Sequence, residues 1–282
     1  MSLPSAFSLA QSSLQDYIDC PRRFELKYLL RIEWPALISE SYLELRRYLR
    51  LGSQFHQLAH QYLLGLPVEM LNSQITDVEL QIWFQNFLQS PIVESSGGIL
   101  HPEKILQSYF GGVRLVAKYD LLIVQESDRL TIVDWKTNRF RPSSAHLSHR
   151  VQTRLYPFLA VEAGGALFAG REHIEANDIQ MIYWFTNHPD DPEIITYSNA
   201  QYDQDKQYIS DLIMQINANQ PGKFPLTDDL KRCQFCMYRS LCERGGAAGE
   251  WGDQAELTIE SQLDQVIQSL ESGIDQMGEA WL

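Results

Sequence analysis

Asp134-Trp135-Lys136 follows directly on Leu130-Thr131-Ile132-Val133, four apolar or β-branched residues in a row. A second mostly apolar stretch, Val116 to Val124, carries Asp120. Two neighbouring strands, joined as a hairpin, would bring both carboxylates to one edge of a sheet. Lys136, two residues after Asp134, falls on the same strand face because strand side chains alternate. Paired carboxylates hold a divalent cation through hard oxygen ligands. Cation, water and ammonium together supply what phosphodiester hydrolysis needs. A strand end with a solvated aspartate and an unrelated lysine would show the same letters, so the segment needs support from elsewhere in the chain.

Three further groups bear on the chemistry. Cys233, Cys236 and Cys242 form C-x2-C-x5-C, and the remaining cysteine, Cys20, stands 213 residues earlier. Four thiols satisfy a [4Fe–4S] cluster or a structural zinc, or are four unrelated buried thiols. The lone, distant fourth position favours iron–sulfur over zinc, whose ribbons pair two short knuckles. A cluster joining Cys20 to Cys242 would staple the two ends of the domain, worth about 5 kcal/mol by loop entropy. His56 has His60 four residues on, but the zinc-peptidase pattern needs glutamate where Gln57 stands. Taken alone, His56 reads as an ordinary helix histidine. Gln152 and Tyr156, four apart, share one helix face and read either as site residues or as surface and packing residues. Glu103, the acid just ahead of the first strand, could assist a metal site but reads more readily as a solvated strand start.

The elements that must position these groups follow from period and punctuation. Apolar spacing predicts helices over about 9–30, 38–64, 75–88, 145–162 and 200–217. Strands are predicted at about 103–110, 112–125, 129–136 and 179–185, with 193–197 as a hairpin partner. Gly111-Gly112 and Ser127-Asp128 are the turns. Helices, then a small sheet, then helices imply one α/β domain over residues 1–246.

Composition sets the outer limits. The chain has 282 residues, 44% hydrophobic and 21% charged, as in an ordinary globular protein. No apolar run reaches the ~20 residues of a membrane span, and residues 1–15 lack the pattern of a signal peptide. The expected location is cytoplasmic. No Gly-rich phosphate loop ending in Gly-Lys-Ser/Thr is present, so the chain carries no NTPase motor. The net charge of −13 argues at first against nucleic acid, but residues 247–282 hold eight acids and no base, leaving −5 on the rest. Bases there are grouped, including Arg22, Arg23, Arg46, Arg47, Arg139 and Arg154. Such patches, not whole-chain charge, set phosphate binding.

Taken in order, Cys20-Pro21-Arg22-Arg23-Phe24, Gly52-Ser53-Gln54-Phe55-His56, Asp120, Asp134-Trp135-Lys136, Gln152-x-x-x-Tyr156 and C-x2-C-x5-C resemble the RecB-type branch of the PD-(D/E)xK nucleases. The closest likeness is to the iron–sulfur members, including CRISPR-adaptation nucleases and the nuclease domain of the AddB helicase–nuclease subunit. It covers about residues 8–246. The resemblance implies a restriction-endonuclease-like core: a small mixed β-sheet flanked by helices, followed here by a C-terminal helical tail.

It implies that His56, Asp120, Asp134 and the backbone carbonyl of Trp135 bind Mg²⁺ or Mn²⁺. Lys136 would orient or deprotonate the attacking water, with Gln152 and Tyr156 facing the site. Cys20, Cys233, Cys236 and Cys242 would carry a [4Fe–4S] cluster. The implied activity is a metal-dependent DNA nuclease, an exonuclease on single-stranded DNA or DNA ends, working in repair, recombination or CRISPR-type processing beside a helicase or CRISPR-type partner. The alternative is a catalytically silent DNA-binding or scaffold subunit. Two departures are small: Ala117 stands where many relatives have glycine, and Trp135 is bulkier than usual.

Residues 247–282 are not part of that pattern. Leu257, Leu263, Val266, Ile267, Leu270, Ile274 and Met277 fall near a helical stripe with an acidic or neutral reverse. The segment reads as a helix docked on the body, as a partner-binding stripe, or as a DNA-like autoinhibitor.

Overall fold

Pro21 breaks the first helical stretch. Proline lacks an N–H and drives the preceding residue into extended backbone, and Cys20 sits at φ −164°, ψ 105°. The expected helix over 9–30 is therefore divided into strand β1 (Ser8–Ala10), α1 (Gln11–Asp19), α2 (Pro21–Phe24) and one π-helical turn, Glu25–Leu29. The computed structural model describes residues 3, 7–34, 40–94, 97–168 and 173–245; the acidic tail lies outside the described residues.

Helix α3 (Glu40–Leu63) is followed by α4 (Val68–Asn72), α5 (Val78–Leu88) and α6 (Pro91–Glu94). Asp77 starts α5 by accepting the Glu79 N–H at 3.0 Å, an N-cap. Strands β2 (Gly98–Phe110) and β3 (Val113–Gln125) then form a long antiparallel hairpin. Gly111 and Gly112 close it at φ +58° and +79°, a two-residue turn that favours glycine at both places. β4 (Leu130–Lys136), α7 (Ser144–Ser148), α8 (Val151–Ala163), β5 (Ile179–Phe185), β6 (His188–Thr196) and α9 (Asn199–Ala218) complete the order.

The sheet runs β1-β3-β4-β5-β6, with β2 also paired to β3. β1 lies parallel to β3 and β4 parallel to β5, while the other pairs are antiparallel. It is a six-stranded mixed sheet with flanking helices. Every residue of β4 is buried, which explains its near-continuous apolar run.

The described residues pack as two units, one built from the strand at 8–10 with 55–215 and the other from 12–54 with 216–245. In the sheet unit the core is strongly aromatic. Phe55 stacks on Trp184 with ring centroids 6.4 Å apart. Phe87 meets Trp135 edge-on at 5.2 Å and Trp184 at 6.2 Å. Such pairs add to the area term of burial, and they hold α5 and the later turns of α3 on the strands.

In the second unit, segments far apart in sequence are joined directly. The Arg22 N–H donates to the Pro225 carbonyl at 3.0 Å. Trp34 Nε1 donates to Ser240 Oγ at 2.8 Å, and the Tyr238 hydroxyl to the Ile32 carbonyl at 2.8 Å.

Candidate active site

Phe55 is fully buried in the aromatic core, which fixes the rotation of α3 and carries the neighbouring His56 to the sheet. His56 Nδ1 lies 3.3 Å from Asp120 Oδ1. On β2, Glu103 stands between the rungs Pro102–Leu121 and Lys104–Tyr119, opposite Asp120. The ligand atoms of His56, Glu103 and Asp120 all lie within 4.8 Å of one another. A nitrogen and two carboxylate oxygens at that spacing suit a divalent cation that accepts mixed ligands. Glu103 is also ion-paired with Lys118.

Asp134 comes to the same sheet edge. The ladder of β3 and β4 ends at Leu121–Val133, one step before Asp120 and Asp134. There the Trp135 N–H donates to Asp120 Oδ2 at 2.8 Å. Burial pushes the Asp120 carboxyl up, but His56, the Trp135 N–H and Lys136 outweigh it and hold the group below its ordinary value.

Asp134, Lys136 and Gln152 form a closed triangle. Lys136 Nζ lies 2.9 Å from Asp134 Oδ2 and donates to Gln152 Oε1 at 3.0 Å. Gln152 Nε2 donates to Asp134 Oδ1 at 2.5 Å. All three side chains are buried, and charge-assisted bonds of this kind are the strong ones. The ammonium is thus held beside the carboxylates with a defined direction.

A family model of the PD-(D/E)XK nuclease superfamily matches residues 8–243. The chain belongs to the PD-(D/E)XK nuclease superfamily. The six-stranded mixed sheet and its flanking helices are accordingly the restriction-endonuclease-like fold. Among solved structures, a provisionally named exonuclease from Eubacterium rectale aligns with this nuclease at a TM-score of 0.50 and 11% identity, covering 89% of this chain and 92% of that one. SSO0001 aligns at a TM-score of 0.40 and 13% identity, covering 85% and 87%. No curated protein sequence matches. Members of the superfamily hydrolyse phosphodiester bonds, generally with Mg²⁺ or Mn²⁺, and the acidic donor set described above fits such an ion.

The remaining expected positions of the nuclease divide. Gln152 joins the site, whereas Tyr156 is buried on Tyr119, with ring centroids 4.7 Å apart and its carbonyl accepting the Tyr119 hydroxyl at 2.8 Å. Glu103, expected as a solvated strand start, is instead half-buried among the ligand atoms. Its signal was in the sequence, since counting outward from the Gly111-Gly112 turn pairs it with Asp120.

Cys20, Cys233, Cys236 and Cys242 line one pocket, together with Arg23, Arg232 and Arg239 among others, and all four are free thiols. Their sulfurs are not drawn together as tightly as the His56 group; among the described residues only that group is gathered within 4.8 Å. Burial pushes the Cys236 thiol up to about 11, against the lowering effect of Arg23.

Arg23, expected to meet nucleic acid, has its guanidinium buried between Asp16 at 2.5 Å and Asp19 at 2.7 Å. It belongs to the interior of the cysteine unit and has no surface to offer a phosphate. Arg22 is partly exposed and paired with Glu25. Arg46 and Arg47 are exposed on α3. Arg154 pairs with Asp205 at 3.1 Å and lies over the Tyr208 ring, while Arg139 keeps an open side chain 3.9 Å from Glu79. Among the described residues no helix is long and apolar enough to cross a membrane.

Proposed function

We propose that this chain is a metal-dependent deoxyribonuclease of the RecB-type branch, acting as an exonuclease on single-stranded DNA or DNA ends. The observation that carries the reading is the juxtaposition of two groups at one sheet edge: a His56–Glu103–Asp120 ligand trio and a buried Asp134–Lys136–Gln152 triangle. His56, Asp120 and Asp134 would hold Mg²⁺ or Mn²⁺, with Glu103 as an added ligand and the Trp135 carbonyl as the backbone donor. The ion would polarise the phosphoryl oxygen and make water a competent nucleophile near neutral pH.

Lys136 presents its ammonium where negative charge grows on the phosphate, and Asp134 and Gln152 fix its direction. A cation already oriented needs no reorganisation as the reaction proceeds. Exposed bases at Arg46, Arg47 and Arg139 supply contacts to the phosphate backbone.

The four cysteines would carry a [4Fe–4S] cluster. In its favour are their shared pocket and the arginines lining it.

The test is cleavage of end-labelled single-stranded DNA by anaerobically purified protein with Mn²⁺ or Mg²⁺, beside Lys136→Ala. Cleavage that disappears in the variant supports the assignment, and the product ladder gives polarity. No cleavage by an iron-replete wild type would overturn it in favour of a silent DNA-binding subunit.

A further inference from the structure

Pro157 stands inside α8. Having no N–H, it cannot bond the carbonyl four residues back, which is that of Thr153. The first turn of α8, which carries Gln152, is therefore linked to the remainder of its helix by one backbone bond fewer than usual. Something outside the helix must hold that turn if Gln152 is to stay on Asp134 and Lys136.

Tyr183 on β5 meets this need. The parallel register of β4 and β5 sets Tyr183 beside Asp134. Its hydroxyl lies 2.8 Å from Thr153 Oγ1, and both side chains are buried. Thr153 Oγ1 donates its single proton to the Leu147 carbonyl at 2.5 Å. In that relay the Tyr183 O–H must donate and Thr153 Oγ1 must accept. The face of the same ring lies under Lys136 Nζ, 5.5 Å from its centroid, within the range of a cation–π contact.

We infer that Tyr183 is a positioning residue, whose hydroxyl ties the first turn of α8 to the sheet through Thr153 and whose ring seats the Lys136 ammonium. One side chain thus bears on two corners of the Asp134–Lys136–Gln152 triangle. It acts through Lys136 and Gln152 and touches no reacting atom. The inference deepens the nuclease reading and rests on it for its catalytic consequence.

The experiment is a double-mutant cycle of Tyr183→Phe and Thr153→Val in the full chain, with Thr153→Ser as the conservative control. Two properties are read for each protein. The first is amide hydrogen exchange at Leu155 and Tyr156, whose helical acceptors are the carbonyls of Val151 and Gln152. The second is kcat and KM for single-stranded DNA at saturating Mn²⁺.

Each single variant is expected to speed exchange at both amides and to lower kcat about tenfold with KM unchanged. The double variant should be no worse than either single, and Thr153→Ser should behave as wild type. Unchanged exchange, kcat losses that multiply in the double variant, or a change confined to KM would each overturn the assignment. If the wild type cleaves no DNA, the nuclease reading fails by itself. The exchange measurements still decide whether Tyr183 holds the turn.

Discussion

Glu103 stands across the β2–β3 hairpin from Asp120 with its backbone in the left-handed region, at φ +52°. A non-glycine residue held there costs on the order of 1–2 kcal/mol, and the hairpin on either side keeps its register throughout. The Glu103 carboxylate reaches the His56–Asp120 group, where it would add a second acidic oxygen to a donor set for a cation.

Glu103→Gln keeps the size of the side chain and removes its charge. It should raise the Mn²⁺ concentration for half-maximal cleavage by about tenfold or more, while the maximal rate falls less. A metal titration of the cleavage rate checks this. An unchanged titration would remove Glu103 from the site.

Lys136→Ala and Asp134→Ala should each lower cleavage by about a hundredfold or more while the protein stays folded by circular dichroism. Gln152→Ala should cost less, since it leaves the 2.9 Å pair of Lys136 with Asp134 intact. Cleavage in Lys136→Ala at the wild-type rate would contradict the assigned role of the ammonium.

Much of the site was legible because its elements are local. The period of residues 129–136 gave β4, and Gly111-Gly112 gave the hairpin turn. What escaped the sequence reading depends on partners distant in the chain. Glu103 looks solvated until the hairpin is counted out. Arg23 looks like a phosphate contact until Asp16 and Asp19 close on it. Tyr156 reads equally as a site residue or a packing residue from its spacing alone, and its packing partner, Tyr119, is 37 residues away. Tyr183 carried no local signal, since a buried β5 tyrosine differs from its apolar neighbours only by a hydroxyl whose acceptor is 30 residues away.

Phe87→Ala should destabilise the sheet unit by about 3–5 kcal/mol. Phe87 is fully buried and its ring meets those of Phe55, Trp135 and Trp184. Urea unfolding measures the loss. The variant should also bind Mn²⁺ more weakly, because Phe55 is what sets the rotation of the helix bearing His56.

The cysteine unit makes the last prediction, which separates the proposed cluster from the fold. Loop entropy alone assigns a staple between its two ends about 5 kcal/mol, yet protein contacts already join those ends. Arg232 pairs with Asp19 at 3.1 Å, and Asn219 donates to the Tyr17 hydroxyl at 3.0 Å, beside the bonds of Arg22, Trp34 and Tyr238 described above. Cys233→Ala should therefore lose iron but still unfold cooperatively, with a loss smaller than the loop-entropy figure. In this metal-free state Cys236, pushed up to about 11 by burial, binds its proton more tightly when folded than when unfolded. The resulting stability is fully present below the ordinary thiol value of about 8.5 and is lost as pH rises towards 11, on the order of 3 kcal/mol in all. Thermal melts of Cys233→Ala from pH 8 to pH 11 should show that decline. A flat profile would remove the Cys236 linkage, and a variant with no cooperative transition at pH 8 would mean that the proposed cluster and not the protein contacts holds the two ends together.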